Sequence, residues 1–462
     1  MIMKKVFLIW ILLIICRISY AQSVQPFKKG DRVVFAGNSI TEAGLYENYI
    51  WLYYITHFPE ARLQVFNGGI GGDVAGQIYD RLQKDLLAKD PSVLVLTFGM
   101  NDSKYFEYRD TTKTIQVTKQ AVDTSYASFL KIEEVLRNRS AIRKIMMSSS
   151  PYDETMRNKD NYFKGKSHTL DLITAFQKDA AVRNNWEYID LLHPMLAITH
   201  REQMKKPDFT ITGPDRIHPG SAGHFVMAYL FLKDQGLAGK PVADIRILAK
   251  QKKLVKALNA KITHIQDDGK GFSFRYLAKS LPYPIDTLPR VWQNAQIQRD
   301  ALNLIPFTKE FNQEVMAVDG LDAGNYALKI DEKFIHTYSA DELAKGINLA
   351  EMTQTPQYQQ SLRIMELNRK HRELEGKFRN YYWVNYNFLK EKGLLLNDSE
   401  VARDTIMNHQ EDNGWLKAKT ADYEQIRVSS SRKQLEQEMQ ALRDEIYRVN
   451  KPMEHRITLT LL

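Results

Sequence analysis

Short apolar runs alternate with amphipathic stretches along the first half of the chain. The runs that have the length of buried strands are residues 32–35, 63–67, 93–98, 144–148 and 188–190. Between and after them, residues 125–137 and 168–184 repeat apolar side chains at helical spacing, and residues 222–232 form an apolar helix. This alternation predicts a parallel sheet with helices on both faces, in which ligands bind beyond the carboxyl ends of the strands.

The pattern changes in the second half of the chain. Residues 261–266 and 272–277 alternate on either side of a turn and predict a β-hairpin. Alternating residues at 314–318 and 326–330, separated by the turn residues Asp319-Gly320, predict a second hairpin. We therefore expect a small β-sheet region after the α/β part.

Two long amphipathic helices are predicted near the C-terminus. One apolar face comprises Leu367, His371, Leu374, Phe378, Tyr381 and Asn385, and the other comprises Leu435, Met439, Leu442, Ile446 and Val449. Together they predict an antiparallel helical hairpin, and the alternation at 456–462 predicts a final strand that returns to the small sheet. The sequence leaves open whether this region covers a pocket, binds a polymer or mediates oligomerisation.

These patterns divide the chain into an N-terminal segment, a catalytic α/β domain and an accessory region. The predicted boundaries are 1–21, 22–240 and 241–462, and the accessory region divides into a β-rich part (245–337), a helical hairpin (340–450) and a final strand (456–462). With 462 residues, of which 44% are hydrophobic, the chain can bury more than one core.

The formal net charge of +9 is spread along the chain. There is no concentrated basic arm or patch of the kind that binds nucleic acid, so nucleic-acid partners are not among the expected ligands. The charge gives only a mild bias toward acidic partners.

The first 21 residues are typical of a secretory signal peptide. Lys4-Lys5 precede an apolar run at 6–15, and Ser19-Tyr20-Ala21 forms a small-residue cleavage site. We therefore expect export to the periplasm or the extracellular space, with no stable membrane anchor. The single cysteine, Cys16, lies in this segment, so the mature chain has neither a disulfide nor a cysteine nucleophile.

The most informative stretch is the strand-to-helix turn at residues 33–41. An apolar run ends in Gly37-Asn38-Ser39, and a helical pattern begins near Glu42. Such a turn places a serine hydroxyl above the carboxyl end of a parallel sheet, beside backbone amides that lack a partner in the helix. Ser39 is therefore a candidate nucleophile, with capping of the helix as the alternative explanation.

Two polar loops follow the second and third predicted strands. Residues 67–73 include Gly72 and are glycine-rich, which lets a substrate approach backbone amides closely. This loop lacks the Lys-Ser/Thr of a phosphate loop and the spacing of a dinucleotide fingerprint. Asn101 in the next loop offers a side-chain amide donor, although an ordinary turn explains either loop taken alone.

A fourth polar block lies in the loop 213–220. Asp215 and His218 are three positions apart, so the carboxylate can bond one imidazole nitrogen while the other nitrogen faces outward. A histidine held in one tautomer in this way is suited to general-base catalysis. A loop leading into a capped helix is the alternative, but four such blocks at successive strand ends are hard to explain by coincidence.

Together the four blocks resemble the GDSL-like hydrolases of the SGNH superfamily over residues 29–236. The family pattern falls on Ser39, Gly72, Asn101, Asp215 and His218. The resemblance implies a flavodoxin-like three-layer fold, an esterase or acylhydrolase activity, and no metal or other cofactor. The chain departs from the family at Asn38, where aspartate is usual, so a negative charge is missing near the site and the family's pH behaviour need not transfer.

The mechanism implied by this resemblance is acyl transfer through a covalent intermediate. His218 takes the proton from Ser39 Oγ as that oxygen attacks an ester carbonyl, and Asp215 stabilises the imidazolium. The backbone amides of Ser39 and Gly72 and the side chain of Asn101 hold the oxyanion. Water then releases the acyl group from the enzyme.

The loops expected to form the pocket are rich in aromatic residues. Four residues are expected to line the pocket. Tyr105 and Phe106 follow Asn101, Tyr152 follows the fourth strand, and Asn38 precedes the nucleophile. Aromatic faces between hydrogen-bonding groups suit sugar rings, so an acylated, most often acetylated, carbohydrate is the expected substrate. Packing of the loops is the alternative explanation for these aromatic residues. A lipase or lysophospholipase and an inactive glycan-binding protein are the alternatives, and the oligomeric state is open.

Overall fold

The computed structural model describes residues 24–157, 162–267, 271–291 and 293–462. The predicted signal peptide, residues 1–21, lies outside the described residues. Across the described ranges, no helix combines the length and the apolar character needed to cross a membrane.

The α/β domain is built on a five-stranded parallel sheet. Its strands are β1 (Arg32–Gly37), β2 (Gln64–Gly69), β3 (Val93–Leu96), β4 (Arg143–Met147) and β5 (Glu187–Ile189). Their order across the sheet is β2-β1-β3-β4-β5, and each neighbouring pair is parallel. The five predicted strands are confirmed, with small displacements at their ends.

Helices between and after these strands cover both faces of the sheet. They are α1 (Ser39–Glu42), α2 (Tyr46–His57), α3 (Ala75–Arg81), α4 (Thr114–Arg137), α5 (Lys166–Asn184), α6 (Leu192–Gln203) and α7 (Ser221–Asp234). Because successive strand residues point to opposite faces, Val33 and Phe35 enter the core under α2 and α7. Val34 and Ala36 enter the core under α3, α4 and α5. The predicted three-layer fold is confirmed.

Two small sheets share one core in the accessory region. Their strands are β6 (Ala243–Leu248), β7 (Lys253–Leu258), β8 (Ala260–Asp267), β9 (Gly271–Ala278), β12 (Glu314–Asp319), β13 (Asn325–Ile330), β14 (Lys333–Ser339), β15 (Ile347–Asn348) and β16 (His455–Leu461). A separate hairpin comprises β10 (Pro289–Val291) and β11 (Asn294–Ile297). The strand orders are β15-β12-β6-β7 and β14-β13-β16-β9-β8. The final strand β16 therefore joins a small sheet, as expected from its alternation.

The two predicted hairpins have different outcomes. Strands β8 and β9 pair antiparallel, so the first hairpin is confirmed. The second is wrong, because β12 pairs with β6 and β15 while β13 pairs with β14 and β16 in the other sheet. Met316 of β12 and Leu328 of β13 both enter the shared core. Strands that pair in one sheet and strands that face each other across a core both alternate apolar and polar residues. The sequence pattern therefore did not distinguish these two arrangements.

The C-terminal half also contains a helical region. Its helices are α8 (Phe307–Phe311), α9 (Ala340–Lys345), α10 (Pro356–Asn387), α11 (Glu400–His409), α12 (Gly414–Ile426) and α13 (Ser429–Val449). Short 3₁₀ or π-helical segments lie at Leu82–Leu86, Leu87–Lys89, Phe106–Arg109, Thr111–Lys113, Gln298–Asn303, Leu349–Glu351, Leu389–Lys392 and Gln410–Asp412.

Helices α10 and α13 form the predicted antiparallel pair. Arg363 bonds Glu445 at 2.8 Å near one end, and the Arg432 guanidinium lies 4.6 Å from the Tyr381 ring centroid near the other. Their connection is not a simple loop, because α11 and α12 lie between them in sequence and α12 packs on α10.

The helical region and the α/β domain pack into one continuous core. The Tyr447 hydroxyl accepts the Trp51 indole N–H at 3.0 Å and donates to the Leu63 carbonyl at 2.6 Å. Asn450 Nδ2 donates to the Ile55 carbonyl at 3.0 Å. These buried contacts join the C-terminal end of α13 to α2 and to the residue before β2, so they fix the helical region against the α/β domain.

Candidate active site

Three of the predicted site residues form a chain of contacts at the carboxyl edge of the sheet. Ser39 Oγ lies 2.8 Å from His218 Nε2, and His218 Nδ1 lies 2.5 Å from Asp215 Oδ2. The imidazole can therefore accept the serine proton at one nitrogen while the carboxylate holds the other. This is the arrangement of a serine hydrolase triad, and the catalytic roles of the three residues remain predictions to be tested by substitution.

The turn between β1 and α1 positions the serine. Asn38 is the N-cap of α1, and its Oδ1 accepts the N–H of Ile40 at 3.1 Å. Ser39 is the first residue of the helix and does not cap it, which leaves its hydroxyl free to bond His218. The departure from the family at Asn38 thus preserves the cap with a neutral amide instead of a carboxylate.

Asp215 is held by its own loop as well as by the histidine. Its Oδ1 accepts the N–H groups of Ile217 at 3.0 Å and His218 at 2.9 Å. Burial opposes ionisation of this carboxyl, but the hydrogen bonds and charge of His218 outweigh burial and lower the pKa of Asp215 below its usual value. Asp215 is therefore ionised at neutral pH and can stabilise an imidazolium.

The predicted oxyanion donors Gly72 and Asn101 line the same pocket as Ser39. Asn101 Nδ2 donates to the carbonyl of Asp73 at 2.9 Å, and its Oδ1 accepts the hydroxyl of Tyr105 at 2.7 Å. A side-chain amide carries two N–H groups, so one of them remains for an oxyanion. Tyr105 and the Asp73 carbonyl together fix the orientation of the amide.

A buried lysine supports the loop that follows β3. Lys166 Nζ donates to the carbonyls of Met100 at 2.5 Å and Lys104 at 2.6 Å. It also donates to Ser103 Oγ at 2.7 Å and lies 3.8 Å from the Tyr105 ring centroid. Burial lowers the pKa of Lys166 well below its usual value. Lys166, which was not predicted from the sequence, fixes the loop that carries both Asn101 and Tyr105.

A pocket of about 910 Å³ opens beside Ser39. The α/β domain lines it with Ser39, Glu42, Ala43, Gly71, Gly72, Gln77, Asn101, Tyr105, Phe106, Phe163, Ile217 and His218, and the accessory region with Arg290, Val291, Trp383, Tyr386, Asn387, Glu391, Trp415 and Lys419. The accessory region thus forms one wall of the pocket. Covering a pocket is one of the roles of the accessory region that the sequence left open.

Two of the four suggested pocket residues lie elsewhere. Tyr105 and Phe106 line the pocket, but Asn38 is a buried helix cap. Tyr152 is fully buried, and its hydroxyl accepts the N–H of Phe163 at 2.7 Å. Tyr152 therefore supports a residue that reaches the pocket. A loop aromatic can point inward or outward, and its sequence position alone does not indicate which.

The residues that the helical region contributes to the pocket wall were not predicted from the sequence either. Trp383 and Tyr386 of α10 line the pocket, although both side chains are largely buried. Trp415 and Lys419 are four residues apart on α12 and so share a helix face. The spacing of Trp415 and Lys419 indicates a pocket-lining face only once α12 is known to lie over the active site.

Charged groups at the pocket form ion pairs, one of them between the two regions. Lys419 Nζ lies 2.6 Å from Glu42 Oε1, and both side chains are largely buried. Arg290 pairs with Asp286 at 2.6 Å on the side formed by the β10–β11 segment. In the described part of the chain, no group of three or more His, Cys, Asp or Glu side chains is placed to hold a metal ion.

The chain is similar to known proteins in both its α/β domain and its helical region. Residues 35–225 match the GDSL-like lipase/acylhydrolase family, and residues 362–451 match the diltiazem deacetylase C-terminal helical domain. The solved structure of a gut microbial diltiazem-metabolizing enzyme is 46% identical, with a TM-score of 0.92 over 96% of this chain and 100% of that chain. An acetylxylan esterase from Geobacillus stearothermophilus is 23% identical over 222 residues, which are 45% of this chain and 94% of that protein.

Proposed function

This chain belongs to the GDSL-like lipase/acylhydrolase family and is a carboxylic ester hydrolase, and we propose that it removes short acyl groups, acetyl above all, from ring-containing alcohols. The observation that carries the proposal is the wall of the pocket beside Ser39. Most of its large apolar side chains are aromatic, namely Tyr105, Phe106, Phe163, Trp383, Tyr386 and Trp415. Its larger aliphatic side chains are Ile217 and Val291.

Such a wall suits a ring better than a long acyl chain. Aromatic faces pack against the flat faces of sugar or aryl rings, whereas a lipid tail requires a continuous aliphatic surface. We propose acetylated carbohydrates outside the cytoplasm as the natural substrates, and the similarity to an acetylxylan esterase supports this choice.

Diltiazem is a second candidate substrate. The chain is 46% identical to a diltiazem-metabolizing enzyme over nearly its whole length, and its helical region matches a diltiazem deacetylase domain. That region supplies Trp383 and Trp415 to the pocket. Because the similarity includes the wall that would contact the alcohol part of an ester, it supports diltiazem as an accepted substrate.

The proposal is tested by hydrolysis of a panel of esters by the purified mature protein. The panel comprises nitrophenyl esters of graded acyl length, an acetylated oligosaccharide, diltiazem and a lysophospholipid. We expect kcat/KM to be at least about tenfold higher for acetyl than for long-chain esters, because extra methylenes find no aliphatic channel. Faster turnover of long-chain esters without glycan or diltiazem deacetylation would overturn the proposal in favour of a lipase-like enzyme.

The ring-binding part of the proposal is tested in the same panel by Trp415→Ala. Trp415 is 72% exposed at the pocket rim, so its loss should leave the fold intact. We expect KM for ring-bearing acetates to rise roughly threefold to tenfold, the equivalent of losing about 0.5–1.5 kcal/mol of aromatic contact. Phe334→Ala is the matched control, since Phe334 is 55% exposed on β14 and does not line the pocket. Equal effects of the two substitutions would contradict ring binding by Trp415.

We also propose that the protein acts in the periplasm or outside the cell. The support is the sequence of residues 1–21, which has the charge, apolar run and cleavage site of a signal peptide. N-terminal sequencing of the exported protein should give Gln22 as its first residue. An uncleaved chain that stays in the cytoplasm would exclude this proposal.

A further inference from the structure

The peptide group between Gly71 and Gly72 is bonded by side chains of the helical region. The Trp383 indole N–H donates to the Gly71 carbonyl at 3.2 Å, and Asn387 Nδ2 donates to the same oxygen at 3.3 Å. Both donors lie on α10, more than three hundred residues away in sequence. The α/β domain and the helical region therefore meet at the backbone of the glycine loop.

This peptide contains the N–H that the oxyanion hole requires. In a trans peptide the C=O and N–H groups point in opposite directions, so fixing the Gly71 carbonyl also fixes the direction of the Gly72 N–H. Gly72 lines the pocket with Ser39, and no described residue accepts a hydrogen bond from its N–H. Donors on the carbonyl also polarise the peptide and strengthen its N–H as a donor.

The loop closes a turn in which the Asp73 N–H donates to the Ile70 carbonyl at 3.2 Å, but this bond alone does not fix the central peptide between Gly71 and Gly72. Neither Gly71 nor Gly72 has a side chain, and Gly72 has a φ of +89°, so many orientations of the peptide are open to the isolated loop. A Cβ on Gly72 would meet nothing within 4 Å. Fixing the peptide before reaction removes a reorganisation cost that the transition state would otherwise bear.

Further contacts hold the two donors and the rest of the loop. Gln77 Nε2 donates to Asn387 Oδ1 at 3.1 Å, which turns the Asn387 Nδ2 toward Gly71. On the other side, the Gly71 N–H donates to the Glu42 carboxylate, whose second oxygen bonds Lys419 of α12. Gly71 is therefore held by hydrogen bonds at both its N–H and its carbonyl.

We propose that Trp383 and Asn387 are positioning residues, through which helix α10 aims the Gly72 N–H at the oxyanion formed when Ser39 attacks an ester. The proposal rests on the proposed esterase function, with Gly72 as an oxyanion donor. Under this proposal, the helical region contributes to the chemical step and also forms one wall of the pocket.

The test uses Trp383→Phe and Asn387→Leu in the full-length mature protein. Trp383→Phe keeps an aromatic ring and removes the N–H, and Asn387→Leu keeps the approximate shape and removes the donor. We expect kcat for a small acetate ester to fall roughly 5- to 30-fold in each variant, less than the loss of an oxyanion donor itself, with KM changed by less than about twofold. Trp186→Phe is the matched control, because Trp186 packs at the edge of the core under α3 to α5.

A transition-state analogue provides a readout that a general structural role would not change. A trifluoromethyl ketone forms a reversible tetrahedral adduct with a serine hydroxyl and places an oxyanion in the hole. Its affinity should fall by the same factor as kcat/KM in both variants, while affinity for the product alcohol stays constant. A rise in KM with unchanged kcat would overturn the proposal and assign Trp383 to substrate contact.

The same assay distinguishes failure of this inference from failure of the proposed function. Ser39→Ala is measured beside the two variants, together with the melting temperature of each protein. Wild-type kcat in both Trp383→Phe and Asn387→Leu, with an inactive Ser39→Ala, would overturn the positioning role alone. An active Ser39→Ala would overturn the catalytic assignment on which the inference rests.

Discussion

Replacing Ser39 by alanine is expected to lower kcat by about 10⁴- to 10⁶-fold, the range seen when a serine nucleophile is removed. Ser39 Oγ is the atom of the pocket that His218 Nε2 can deprotonate, at 2.8 Å, and no acyl-enzyme can form without it. The measurement is steady-state hydrolysis of an activated acetate ester at neutral pH.

The melting temperature serves as the control for this substitution. Asn38 caps helix α1, so removal of the Ser39 hydroxyl deletes no capping bond and should leave stability nearly unchanged. Activity within tenfold of wild type in a folded Ser39→Ala protein would mean that another group attacks the ester. Loss of folding would point to a structural role for the hydroxyl.

Replacing Asp215 by asparagine is expected to lower kcat by about 10³- to 10⁴-fold, as in other serine triads. An amide removes the negative charge that stabilises the imidazolium, and its NH₂ group can favour the wrong histidine tautomer. The pKa of Asp215 is lowered by His218 against the effect of burial, so the carboxylate is charged throughout the pH range in which esterases are assayed. The measurement is kcat at neutral pH with the same activated ester.

The loop should keep its shape in this variant. Asparagine Oδ1 can still accept the N–H groups of Ile217 and His218, which Asp215 accepts now. Circular dichroism and melting temperature are therefore expected to match the wild type. A kcat reduced by less than tenfold would show that Asp215 only accepts hydrogen bonds within its own loop. It would also show that catalysis by His218 does not depend on the negative charge of Asp215.

The helical region is joined to the α/β domain by charges as well as by the core. Arg379 of α10 forms two hydrogen bonds of 2.9 Å with Asp85, and Asp85 also bonds Arg81 at 2.8 Å. Burial opposes ionisation of Asp85, but the charges of Arg379 and Lys89 outweigh it and lower its pKa. Removing one partner from such a pair leaves an unpaired buried charge, which typically costs about 3–5 kcal/mol.

This network leads from the helical region to the active-site turn. Arg81 also bonds Asp73 at 2.6 Å and donates to the Gly37 carbonyl at 2.9 Å. Asp73 in turn accepts Asn101 Nδ2 through its backbone carbonyl. The elements that carry Ser39 and Asn101 are thus tied to α10, consistent with the helical region being a structural part of the enzyme.

Most of the α/β fold was predictable because its signals are local. Each strand is a short apolar run buried on both faces, and the connecting amphipathic segments have helical spacing. The antiparallel pair α10 and α13 was predictable for the same reason. The hairpin expected across Asp319-Gly320 was not, because β12 and β13 send alternate residues into one core from two different sheets.

The sequence by itself determined the order of the strands and helices and placed four polar blocks at strand ends. Since parallel strands share one carboxyl edge, their proximity followed from the pattern. Only the tertiary structure decided which side chains face the pocket: it buried Tyr152 beneath Phe163 and placed Trp383 and Asn387 against Gly71. The physical reason is that aromatic residues lie on several sides of helix α10: Tyr381 packs on Tyr423 of α12, whereas Trp383 contacts Gly71. Which neighbour each side contacts depends on docking between segments far apart in sequence.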